Sequence, residues 1–97
     1  MNHVITITDL QFTRAPRLHH IGIIGFVRCT ANGGLALDGI AVRRRAEDGR
    51  LTLSFPARKD ERGKLHHHFH PIDDATRIEI ERQILDGLGL NNVEATG

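Results

Sequence analysis

The chain has 97 residues, enough for one domain and too few for two. Lys and Arg total 13 against 12 Asp and Glu, so bulk charge singles out no class of partner, and one cysteine excludes both an intramolecular disulfide and a thiolate zinc cage. No run approaches the ~18 apolar residues of a membrane span, and the start "MNHVITITDL" lacks a basic region followed by an apolar one. The expectation is a soluble protein without a secretion signal, by default in the bacterial cytoplasm. A single domain of this size buries only about 60–65% of its unfolded surface, so it gains from a partner subunit.

The segment 4–13, "VITITDLQFT", is rich in β-branched residues and predicts a strand that Pro16 ends. The segment 21–30, "IGIIGFVRCT", predicts a second strand, with Ile21, Ile23 and Val27 on one face and Ile24 and Phe26 on the other. "NGG" at 32–34 signals a turn into a third strand at 35–44, and "AEDG" at 46–49 turns the chain again. Leu51, Leu53 and Phe55 alternate with Thr52 and Ser54 in a fourth strand, which Pro56 ends or places at an edge. After the charged loop 59–63 comes a short fifth strand at 65–70. Pro71 leads into a helix capped by Asp73 or Asp74, with Ile78, Ile80, Ile84, Leu85 and Leu88 as its apolar face and Gly87 or Gly89 at its end. Residues 91–97 read as a frayed tail. The fold class is α+β: an antiparallel sheet of about five strands followed by a C-terminal helix. A single helix covers one face of a small sheet, and the strand at 21–29 is apolar on both faces, which predicts a homodimer.

The stretch "KLHHHFHPI", 64–72, carries four of the seven histidines. On a strand His66, His68 and His70 would share one face, and imidazoles two residues apart can converge on zinc. Beyond such a pair, a third ligand would have to be His66 or a distant residue such as His19, His20 or Asp73, and no H-E-x-x-H occurs, so the expectation is no metal and no cofactor. Nucleophilic catalysis has little to build on. Ser54, the sole serine, falls mid-strand, and Cys29 falls among apolar residues with no evident base. "NGG" and "GLGL" lack the spacing of a phosphate-binding loop. The chain is expected to be no enzyme and to take no small-molecule substrate.

Charge is unevenly spread. Residues 1–72 carry 11 basic and 6 acidic groups, and residues 73–97 carry 2 and 6. Arg58, Lys59, Arg62 and Lys64 cluster around one turn, with Asp60 and Glu61 beside them. Arg43, Arg44 and Arg45 form a second cluster at another strand end. Arginine forks suit phosphate oxygens, whereas the absence of Tyr and Trp argues against a base-stacking platform.

The run "LTLSFPARKDERGKLHHHFHPIDDATR", 51–77, resembles the bacterial stage V sporulation protein G family, the septation regulators often called SpoVG. That pattern is a short strand ending in Pro, a basic pair, a turn with Gly, another strand, and His-Pro-Ile leading into a helix with Thr-Arg. Here these are Pro56, Arg58-Lys59, Gly63, Leu65, His70-Pro71-Ile72 and Thr76-Arg77. "ITDLQF" at 7–12 and "IAV" at 40–42 also look like the family's first and third strands.

The resemblance implies one SpoVG-like domain over 1–97. It implies a small dimeric, non-enzymatic protein that binds DNA, and in some members RNA, and regulates gene expression and septation. It assigns His70 and Pro71 a structural place at the strand-to-helix junction. It leaves His66, His67 and His68 as additions beside the basic loop, where His66 could contact phosphate when protonated. Arg77 falls inside the apolar arc of the helix with Glu81 at i+4, which predicts a partly buried structural pair. The alternatives are a scaffold dimer in cell-division control and, more remotely, a histidine-rich metal-binding protein.

Overall fold

A computed structural model describes residues 5–90. Four strands, β1 (Ile7–Arg14), β2 (Ile23–Ala31), β3 (Leu35–Arg44) and β4 (Leu51–Ser54), form one antiparallel sheet in the order β1-β2-β3-β4. β5 (Ala57–Lys59) and β6 (Leu65–His67) form a separate antiparallel ribbon, and α1 (Asp74–Gly87) follows it. The frayed tail expected at 91–97 lies outside the described residues. No helix among the described residues is long and apolar enough to cross a membrane.

The structure departs from the sequence reading at four places in the strands. The expected second strand loses its first residues to a 3-10 helix, Pro16–Ile21, with Pro16 in its first turn and Gly22 at φ 90° closing it. The expected five-strand sheet has four, because Pro56 offers no N–H to continue pairing beyond Ser54, and the chain leaves to form the ribbon. The fifth strand also stops at His67 rather than reaching 70. Finally, bulges in the β2–β3 pairing between Ile23 and Gly25, and between Val27 and Cys29, re-aim the side chains. Ile24 consequently packs against the core beside Val27, while Phe26 does not.

Hairpin geometry follows from the turn residues. Ala31 O accepts from Gly34 N–H at 3.1 Å, with Asn32 at φ 50° and Gly33 at φ 69°, the two left-handed positions that suit the twist of paired strands. Asn32 also ties this turn to the start of β1: its Oδ1 accepts from Thr6 N–H at 2.7 Å and its own N–H donates to Thr6 O at 2.8 Å. Gly25 is required by packing, because a Cβ there would fall 2.4 Å from the Phe12 ring.

The core lies between one sheet face and α1. Val27, Ile40, Val42, Leu51 and Leu53 meet Ile80, Ile84 and Leu85, and all are buried. Asp73 caps the helix, its Oδ1 accepting from Thr76 N–H at 2.8 Å. A glycine-based stop ends it, with Gly89 at φ 71° and Leu90 N–H donating to Leu85 O at 2.7 Å. Ile78, expected on the apolar face, is 59% exposed. It shares a stripe with Leu85 two turns on, but the sheet does not cover the helix that far toward its start.

Two helix side chains reach the sheet's edges. Glu81 Oε2 accepts from Leu53 N–H at 3.2 Å and from Thr52 Oγ1 at 2.9 Å, on edge strand β4. Gln83 Oε1 accepts from Ile7 N–H and its Nε2 donates to Ile5 O, at 2.7 and 2.8 Å, on edge strand β1. Arg77 Nη1 donates to the same Glu81 oxygen at 3.0 Å, with Glu81 mostly buried and Arg77 half-exposed. Glu81→Ala removes acceptors for three donors, so a loss of about 1.5–3 kcal/mol is expected in urea unfolding. Arg82→Ala, which removes exposed ion pairs with Glu79 and Asp86, should stay within about 0.5 kcal/mol of wild type. Equal losses in the two variants would contradict the edge-capping role.

Candidate nucleic-acid interface

Past Ser54 the chain passes through Phe55 and Pro56 into β5, and it returns through β6 to Phe69. Phe55 and Phe69 meet edge to face with ring centroids 6.0 Å apart, and both join the core. His68 N–H donates to Pro56 O at 2.8 Å. These contacts anchor the base of the ribbon, while its outer part, 58–68, is exposed.

One carboxylate builds the tip. Asp60 Oδ1 accepts from the N–H groups of Arg62 and Lys64, each at 2.9 Å. Its Oδ2 accepts from His66 Nε2–H at 2.8 Å, and its own N–H donates to Lys64 O at 2.9 Å. Gly63 at φ 80° completes the reversal. The His66 hydrogen bond, with the Lys64 and Arg62 amides, holds the Asp60 carboxyl below the usual carboxylate range despite a small opposing desolvation. Asp60 is thus the residue the sequence reading missed. From sequence it stands out only as a carboxylate in a charged loop, whereas an Asp opening a turn that closes on Gly63 is a recognisable side-chain-to-backbone signal.

The tip presents the basic residues. Register pairs Arg58 with His66 and Lys59 with Leu65, and Arg62 and Lys64 stand in the loop between. Arg58, Lys59 and Arg62 line a shallow groove with Asp60 and Glu61. Among the described residues, no ion pair involves Arg58, Lys59, Arg62 or Lys64, and Asp60 is engaged by backbone amides and His66.

The second cluster lies elsewhere. Arg44 pairs in register with Leu51, the first residue of β4, whereas the ribbon begins beyond the last, so the two clusters flank opposite ends of that strand. Arg45 is held by Glu47 at 3.2 Å and Asp48 at 3.6 Å. Arg43 and Arg44 donate to the carbonyls of Ile21 at 3.4 Å and Gly49 at 3.0 Å. The structure therefore does not bring 43–45 together with 58–64 within the chain.

The histidines do not share one strand face, since β6 ends at His67. His66 turns to Asp60. His67 stacks edge to face on His70 at 5.4 Å between centroids, and His70 Nδ1–H donates to Pro71 O at 2.8 Å beside the helix entry. Among the described residues, no group of three His, Cys, Asp or Glu side chains is placed to hold one metal ion. Cys29 is buried at 2% exposure, and that burial pushes its thiol pKa up, away from reactivity.

Comparison with models of known protein families finds no match, and neither does comparison with curated protein sequences.

The depressed carboxyl makes the tip acid-sensitive. A carboxylate whose folded pKa lies below its unfolded value supports the turn above that unfolded value and loses its effect as pH falls through the folded one. Carboxyl-carbon NMR should therefore show Asp60 titrating at lower pH than an unstructured aspartate, and His66→Ala should move that midpoint upward. A midpoint that His66→Ala leaves in place would contradict the geometry.

Proposed function

We propose that the chain is a homodimeric nucleic-acid-binding regulator of the SpoVG type, acting in gene regulation and septation, that docks the ribbon tip on phosphates. The observation that carries this reading is the set of four exposed cations at 58–64 without ion pairs, on a turn whose backbone one aspartate fixes. Free cations on an ordered turn lose little side-chain pairing on meeting phosphate, and they gain by releasing its counterions. The acidic helix α1 contributes two basic residues only, Arg77 and Arg82, both engaged in ion pairs. Contact with DNA, and with RNA where the strand permits, is therefore assigned to the ribbon.

Dimerisation draws support from the sheet face that α1 leaves uncovered. Thr13, Phe26, Ala41 and Ser54 stand at successive paired positions across all four strands; half-buried Phe26 and Ala41, itself only 7% exposed, lie outside the cluster packed under α1. An apolar centre with hydroxyl-bearing flanks suits a self-complementary contact. The same face is what favours the second reading, a scaffold dimer without nucleic acid.

Sedimentation at micromolar concentration should give about twice the 10.8 kDa chain mass, and Phe26→Lys should return the monomer. A wild-type monomer would remove the dimer from the account. In a salt titration on duplex DNA, each neutralised phosphate contributes about −0.9 to the slope of log affinity against log salt. Replacing Arg58, Lys59, Arg62 and Lys64 with Gln should flatten that slope by several units while the melting temperature stays close to wild type. An unchanged slope would favour the scaffold reading.

A further inference from the structure

Between the 3-10 helix and the turn joining β3 to β4 lies a cleft of about 730 Å³, a volume typical of small-molecule sites. Its walls are tied together. Arg44 N–H donates to Gly22 O at 2.7 Å, and the turn is closed by Arg45 N–H to Arg50 O and Gly49 N–H to Arg45 O, each at 2.8 Å. Gly22 stands in the left-handed region, and a Cβ there would lie 3.1 Å from Arg44 O, so glycine lets the two segments approach.

The lining is cationic with an apolar portion. Arg43 and Arg44 both line the cleft, Arg43 hydrogen-bonded to Ile21 O at the 3-10 helix and Arg44 to Gly49 O in the turn. Each spends one donor on a backbone carbonyl, out of the five a guanidinium carries. Glu47 is the acidic residue in the lining, and Arg45 neutralises it. His19 and His20 add two exposed imidazoles, and Ile21 and Ile24 supply apolar surface, Ile21 being 50% exposed.

We propose that this cleft is a second anion site, separate from the ribbon, that takes a phosphate monoester of nucleotide size. Arg43 and Arg44 hold the phosphate, and Ile21 and Ile24 receive the rest of the ligand. Two guanidinium groups without carboxylate partners, flanked by imidazoles, match a dianion better than a carboxylate monoanion. Walls on two sides suit a compact ligand rather than a strand tracked along its backbone. The cleft's volume exceeds what inorganic phosphate alone would fill.

The test is an amide NMR titration of the full chain with adenosine monophosphate, and in parallel with adenosine, inorganic phosphate and a short single strand. The expected result is saturable shifts at 19–24 and 43–50 with the monophosphate, and binding of adenosine or phosphate alone at least about tenfold weaker. Combined Arg43→Gln and Arg44→Gln should weaken the monophosphate about tenfold or more. If that variant's spectrum shows a lost fold, His19→Gln with His20→Gln, both exposed, decides by a smaller loss of affinity. The ribbon variant with Gln at 58, 59, 62 and 64 should bind the monophosphate as wild type does, which separates this site from the nucleic-acid reading. The inference is overturned by any of three results: no saturable shift in the millimolar range, equal binding of adenosine, or stronger occupation of the cleft by the strand than by the monophosphate.

Discussion

Glu81 and Gln83 stand two residues apart on α1, hence about 200° apart around its axis, and they reach opposite edges of the sheet. An edge strand exposes unpaired N–H and C=O groups that invite another chain. Here one helix satisfies backbone groups on both edges with two side chains, while Ile80, Ile84 and Leu85 fill the space between. Orientation of the helix, closure of the core and protection of the edges are thus coupled. Arg77 completes the arrangement by balancing the charge that Glu81 brings to the core's margin.

The clamp has a consequence for the rest of the surface. With one face under α1 and each edge held at one place, chemistry falls to the parts at or beyond the strand ends. The ribbon is one such part, attached through Phe55 and Phe69, so its tip can meet a ligand without disturbing the core. Asp60 makes that tip a defined shape by binding two amides and one imidazole, which leaves the four cations outward and unpaired. The turn at 45–50 is organised on the opposite principle. Arg45 is held by Glu47 and Asp48, whereas Arg43 and Arg44 at the end of β3 each give one donor to a backbone carbonyl and keep others in reserve.

Much of the scaffold was legible because it rests on local patterns. β-branched alternation marked the strands, Asn32-Gly33 marked the hairpin, and Asp73 marked the helix start. The Arg77–Glu81 contact was legible from helical spacing. What was hidden depends on register or on long-range partners. A bulge leaves no compositional trace, so the sides taken by Ile24 and Phe26 could not be read from alternation. Three-residue β5 is too short for periodicity, and it exists because Leu65–His67 lies opposite. Gln83, 76 residues from the Ile7 amide it binds, resembles any polar helix residue until the sheet is in place. At the site, the cations were visible as a cluster, but Asp60's part needed the backbone amides around it. The wide separation of the two arginine-containing clusters needed the strand order.

In the proposed docking mode the ribbon tip, and neither α1 nor the open sheet face, meets nucleic acid. Amide NMR shifts on adding a short DNA duplex at about 50 mM salt, where phosphate contacts are strong, test it most directly. The account predicts the largest shifts at 57–67, with little change along α1. Largest shifts on α1 or around Phe26 and Ala41, or none anywhere, would contradict it.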